Sequence, residues 1–191
     1  MNELQKRHAS VELQTRAVED SQERVIEGYF ALFNTETELF PGFFESILPG
    51  AFDDTVSGDI RALIDHDHAK VLGRTKSRTL DLKVDSRGLY GTIRINENDR
   101  EAMDLYERVK RGDVDQCSFG FYVQDEEIDY GDNGTIRSKL KKVDVIEVSV
   151  VTFPQYAETS VSARKKDVEQ FKYKQLDARK KRMKERMKQW H

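Results

Sequence analysis

A single cysteine, Cys117, stands among the 191 residues, so no internal disulfide can form and the multi-cysteine zinc motifs are excluded. Proline occurs three times and tryptophan once, which excludes proline-rich linkers and repeat architectures built on either residue. No apolar run approaches the 18 residues of a membrane helix, and the opening MNELQKRHASVELQ lacks the apolar centre of a signal peptide. A cytoplasmic protein without membrane insertion is therefore expected. Histidine is sparse as well: His8, His66, His68 and His191 are all there are.

What is present is charge, at 35% of residues, beside 37% hydrophobic residues, which suffices for one core. The net charge of -3 conceals a division. Residues 164–191 hold 12 Lys/Arg against 4 Asp/Glu, leaving 20 against 31 in residues 1–163. This asymmetry predicts a body over 1–163 and a basic appendage over 164–191. In the appendage Leu176, Met183, Met187 and Trp190 recur at near-helical intervals.

The periodicities predict a mainly β, antiparallel body of the α+β kind with one or two helices, and a separate helix in the basic C-terminal extension. Residues 10–17 alternate as a half-buried strand, and Arg24 to Phe33 forms a second. The stretch 34–52, with Pro41-Gly42 and Pro49-Gly50, is expected to be a long irregular connection. Ile60, Ala62, Ile64 and His66 share one side of a further strand. A hairpin follows over 80–95, and Asn98 with Glu101 three residues later starts a helix that Gly112 stops. Cys117–Gln124 and Lys139–Phe153 pair as a hairpin whose turn, centred between Asp132 and Asn133, sets Ser118 roughly opposite Glu147 on one face.

Three segments could carry chemistry. Ser118 lies between aromatics, with Gly120 on the same face leaving room for a substrate backbone. Asp65-His66-Asp67-His68 puts both histidines on one side of a strand. There one imidazole could serve as a general base, the pair could bind zinc, or the segment could be a solvated loop. Zinc lacks further ligands, since His8 and His191 sit at opposite termini and Cys117 points away from the Ser118 face. Glu147 alternates with Val145, Ser149 and Val151 on a strand apolar on both sides, so it is expected to be buried and to need a partner, either a basic side chain or an imidazole.

Five stretches in order resemble the tailed-phage prohead proteases, whose fold is similar to that of the herpesvirus capsid-maturation proteases, and the resemblance implies an antiparallel, β-barrel-like body. They are Gly28-Tyr29-Phe30-Ala31-Leu32-Phe33-Asn34; Glu45-Ser46-Ile47-Leu48-Pro49-Gly50-Ala51-Phe52; Ile64-Asp65-His66-Asp67 with Leu72-Gly73-Arg74-Thr75; Gly112-Asp113-Val114 leading to Ser118-Phe119-Gly120-Phe121; and Glu147-Val148-Ser149-Val150-Val151-Thr152-Phe153-Pro154.

The resemblance implies Ser118 as nucleophile and His66 as its base, with Glu147 as third member and His68 incidental; the herpesvirus relatives use a second histidine in that third role. Cys117 as nucleophile is set aside. The resemblance further implies a serine endopeptidase, without cofactor or metal, that cuts the scaffolding segment of the major capsid protein and itself inside the assembling procapsid, in the host cytoplasm. A homodimer or higher oligomer is implied by analogy, and nucleic acid is not an expected partner. The alternatives are a zinc-dependent hydrolase using His66 and His68, and a non-catalytic, scaffold-like partner in capsid assembly.

Overall fold

The computed structural model describes residues 4–9, 13–17, 23–131, 134–153 and 180; all but the last belong to one compact unit, Met1–Tyr156. The basic segment 164–191 thus lies, apart from Lys180, outside the described residues. Of His8 only the backbone is described.

In chain order the elements are β1 (Gln5–Ala9), β2 (Gln14–Ala17), β3 (Arg24–Leu32), β4 (Thr37–Phe40), β5 (Phe43–Ile47), β6 (Arg61–Ile64), β7 (Asp67–Arg74), β8 (Leu80–Val84), β9 (Gly88–Arg94), α1 (Arg100–Arg111), β10 (Gln116–Tyr130) and β11 (Ile136–Val151). One sheet runs β1-β10-β11-β5-β4, with β6 also on β11 and β7 on β6; the other runs β2-β3-β9-β8. The body is mainly β, as expected, with one helix among the described residues. It is not a closed antiparallel barrel: both sheets are open, and the larger is mixed because β11 takes β5 and β6 in parallel. Parallel neighbours need a long crossover, and the chain between β6 and β11 supplies one through the second sheet and α1.

Phe30, Ile26, Leu89 and Ile93 from the smaller sheet, Phe119, Phe121, Val148 and Val150 from the larger, and Ala102, Leu105, Tyr106 and Val109 of α1 bury into one core. Phe52 links its parts, with ring centroids 5.6 Å from Phe33 and 5.9 Å from Phe119. Helix α1 begins one residue later than the sequence suggested. Asp99 caps it by accepting from the amides of Glu101 at 3.0 Å and Ala102 at 3.3 Å, and Gly112 ends it in the left-handed region.

The stretch 34–52 departs from expectation. Pro41 and Gly42 do not break the chain into a loop; they are the central residues of the turn that pairs Phe40 with Phe43, with Gly42 at φ 81°. Proline presets the first turn position and glycine supplies the positive φ of the second.

The β10–β11 hairpin also differs in register. Its turn pairs Tyr130 with Ile136, half a residue beyond the expected centre, and a bulge places Glu147 opposite Gly120 but Val145 opposite Phe121. Together these set Ser118 opposite Ser149 rather than Glu147. The shift is two residues, so Ser118 and Glu147 still share a face. The extra residue, Ile146, resets the alternation: Val145 joins Val148 and Val150 in the core instead of sharing the side of Glu147.

Candidate active site

Residues of β10, β11 and the β6–β7 turn converge on one face of the larger sheet. Parallel pairing aligns Glu147 with Arg61 and Val150 with Ile64. Immediately after Ile64 the chain reverses through Asp65 and His66, at φ 48° and 59°, and Ile64 pairs with Asp67. Two successive positive φ values are those of the two-residue hairpin turns whose twist suits flanking strands. His66 is therefore a turn residue, not the end of a strand, and its side chain reaches back over β11. The turn is held by Asp65, whose amide donates to the Val150 carbonyl at 3.0 Å and whose Oδ1 accepts from the Thr152 amide at 2.8 Å.

His66 Nδ1 lies 2.7 Å from Glu147 Oε1, with the two side chains each 3% exposed. An ionised carboxylate can only accept, so Nδ1 donates, and the neutral ring presents a lone pair at Nε2. That Nε2 is buried and has no hydrogen-bond partner among the described residues. The second carboxylate oxygen, Oε2, accepts from Ser149 Oγ at 2.6 Å. Burying a carboxylate is tolerable only when its oxygens are satisfied, and here both are.

Gly120 has a different use from the one its position in the sequence suggested. The space beside it is not left open for substrate; it is filled by Glu147, and a Cβ on residue 120 would overlap Oε1 and stand 3.1 Å from Cδ.

Ser118, 1% exposed, lies on the same face, but its hydroxyl is not bonded to His66. It donates instead to the main-chain carbonyl of Arg7 at 2.8 Å, in the edge strand β1, which pairs antiparallel with β10. Cys117 points into the core on the opposite face, where Sγ donates to the Tyr29 carbonyl at 3.0 Å.

The histidine pair needed for zinc is not formed. His66 is buried, whereas His68, displaced by the turn onto β7, is exposed. Among the described residues no three His, Cys, Asp or Glu side chains gather as metal ligands. A surface groove lined by Asp59, Thr75, Arg78 and Arg94 contains none of the expected site residues.

Two contributors were not singled out from the sequence. Ser149 was visible as a small polar residue alternating with Glu147 on an apolar strand. Arg7 belongs to no motif, and nothing in the charged run around it marks it as buried.

A family model described as caudovirus prohead serine protease matches residues 11–174. The prohead protease of Enterobacteria phage HK97 is 26% identical over 166 residues, which are 86% of this chain and 71% of that protein. The bacteriophage T4 capsid assembly protease, gp21, has a similar fold, with a TM-score of 0.50 at 11% identity over 78% of this chain and 96% of that one. With the family model covering most of its length, from within the sequence before β2 to beyond the end of β11, this chain belongs to the caudovirus prohead serine protease family.

Proposed function

We propose that the chain is a serine endopeptidase that matures the procapsid by cutting the scaffolding segment of the major capsid protein, and that it also cuts itself. The observation that carries this reading is the buried His66–Glu147 pair, 2.7 Å apart, with Nε2 unpartnered among the described residues on the face that bears Ser118. Glu147 fixes the ring so that Nε2 is the acceptor and stabilises the imidazolium that forms when a proton arrives.

In the acylation step Ser118 Oγ bonds to a peptide carbonyl carbon, its proton passes to His66 Nε2, and His66 returns that proton to the leaving amine as the C–N bond breaks. Water, deprotonated by the same nitrogen, then releases the acyl group and restores the Ser118 hydroxyl. For this sequence Ser118 must give up its bond to the Arg7 carbonyl and turn to His66.

The basic segment 164–191 fits the same reading, as an extension beyond the protease domain 1–163 that docks on an acidic scaffold or is removed by self-cleavage. The herpesvirus capsid-maturation proteases are the fold relatives this reading expects, and the site of action is the procapsid assembling in the host cytoplasm.

The test is co-expression with the capsid protein, wild type beside Ser118→Ala, with mass spectrometry of both chains. Fragments of capsid protein that vanish in the variant support the reading. Identical fragments in both would move the activity to another residue, and intact capsid protein with wild type, in particles that still assemble, would favour a scaffold-like role.

A further inference from the structure

We propose that Glu45 is the specificity residue of this site, reading a basic side chain on the substrate residue that supplies the scissile carbonyl, and that Arg7 holds that place in the structure described. The inference rests on the serine-protease reading above and names the substrate class for it.

Acyl transfer brings the nucleophile to the carbonyl of an extended peptide. Strand β1 is an extended peptide, laid antiparallel on β10 from Gln5 opposite Phe121 to Ala9 opposite Cys117. The carbonyl it presents to Ser118 Oγ is that of Arg7, at 2.8 Å. β1 thus occupies the sheet edge beside the nucleophile, the place where a substrate would add as a strand.

The same residue sends its side chain to a built receptor. Arg7 Nε lies 2.6 Å from Glu45 Oε1 and Nη2 lies 3.1 Å from Oε2, a two-pronged fit. Nη2 also donates to Gln5 Oε1 at 3.2 Å and Nη1 to the Lys6 carbonyl at 2.8 Å, while the guanidinium carbon stands 5.7 Å from the centre of the Phe121 ring. The Arg7 and Glu45 side chains are only 9% and 4% exposed.

A buried ion pair adds little stability over a well-packed apolar pair, yet removing one member leaves a charge without compensation. This difference matters because β1 cannot stay where it is while substrate is cut. Ser118 is 1% exposed and His66 6% exposed, and the serine hydroxyl is engaged by β1 itself. Once β1 leaves its edge, the buried Glu45 carboxylate loses its guanidinium partner. An incoming strand restores that pairing only if it carries arginine or lysine at the register position of Arg7. Glu45 therefore favours the basic substrate and penalises neutral and acidic ones.

The test incubates the full-length protein, as wild type, Ser118→Ala and Glu45→Gln, with a mixture of peptides from a denatured proteome, and locates new termini by mass spectrometry. Cuts that depend on Ser118 are expected to be enriched about tenfold or more for Arg and Lys on their amino side, because an unpaired buried carboxylate rejects other side chains. Glu45→Gln should erase that enrichment. Ser118-dependent cuts without basic enrichment, or with enrichment unchanged in Glu45→Gln, overturn the assignment and leave the protease reading standing. No Ser118-dependent cut at all overturns both.

Because Glu45→Gln disturbs a buried pair, Arg7→Met provides an independent arm with Glu45 intact. Its circular dichroism should match wild type, and cutting after basic residues should rise several-fold with the resident competitor gone. An unchanged or reduced rate in folded Arg7→Met would count against Arg7 as the stand-in.

Discussion

The carboxylate of Glu147 occupies the space that a side chain on Gly120 would need, directly across the β10–β11 ladder. Gly120→Ala is therefore expected to push Glu147 away from His66 without touching either residue chemically. Overpacking of this kind costs about 1–3 kcal/mol, and displacing a catalytic group by about 1 Å can lower the rate about a hundredfold. Urea unfolding and the cleavage rate of Gly120→Ala measure the two effects together; wild-type activity would mean that the carboxylate is not needed where it sits.

Glu147→Gln keeps the shape of the side chain and the possibility of bonds to both His66 and Ser149, but removes the charge that favours the imidazolium. A loss of about 10²–10⁴-fold in kcat with little change in fold is expected. Full activity in this variant would remove Glu147 from the mechanism.

The Asp65–His66 turn predicts a difference between two substitutions at one position. Asn tolerates positive φ and can still accept from the Thr152 amide, so Asp65→Asn should remain active. A β-branched residue is strongly disfavoured at a φ of 48°. Asp65→Val should lose about 1–3 kcal/mol of stability and most of its activity, since the turn aims His66. Equal behaviour of the two variants in thermal unfolding and cleavage would refute this account of the turn.

Acid conditions probe the smaller sheet. The Tyr29 hydroxyl, donating to Asp85 at 2.5 Å, and then the amides of Arg87 and Gly88 hold the Asp85 carboxyl below its ordinary range. A carboxyl lowered in the folded state stabilises fully above its unfolded value of about 3.9 and loses that contribution as the pH falls through the folded value. Asp85→Asn should be less stable than wild type at pH 7, and the gap should close below about pH 4. Urea unfolding at both pH values checks it.

Much of this architecture was legible in the sequence, and the illegible parts share a cause. The 80–95 hairpin, α1 and the two long strands announce themselves through local period and turn residues. β1 does not, because Gln5, Lys6 and Arg7 read as solvated chain until Glu45, 38 positions away, supplies a partner for Arg7. The faces of Ser118 and Glu147 were readable from alternation, whereas their register depended on the turn centre and on a bulge at Ile146 with no local signature. His66 was readable as a titratable residue. Its turn was not, since Asp-His lacks the glycine that usually marks such a reversal, and the tertiary bonds of Asp65 hold it. Parallel pairing of β6 with β11 is a long-range outcome that no local pattern encodes.

That pairing also sets when the site can exist. His66 and Glu147 are 81 positions apart, and they meet only after β6 has docked beside β11, the last of the described strands. Contacts of such long sequence separation form late and slowly, after the closure entropy of the intervening chain has been overcome. In a growing chain His66 and Ser118 are made before Glu147. Under the mechanism proposed above, catalytic competence requires β6 and β11 to be in place together.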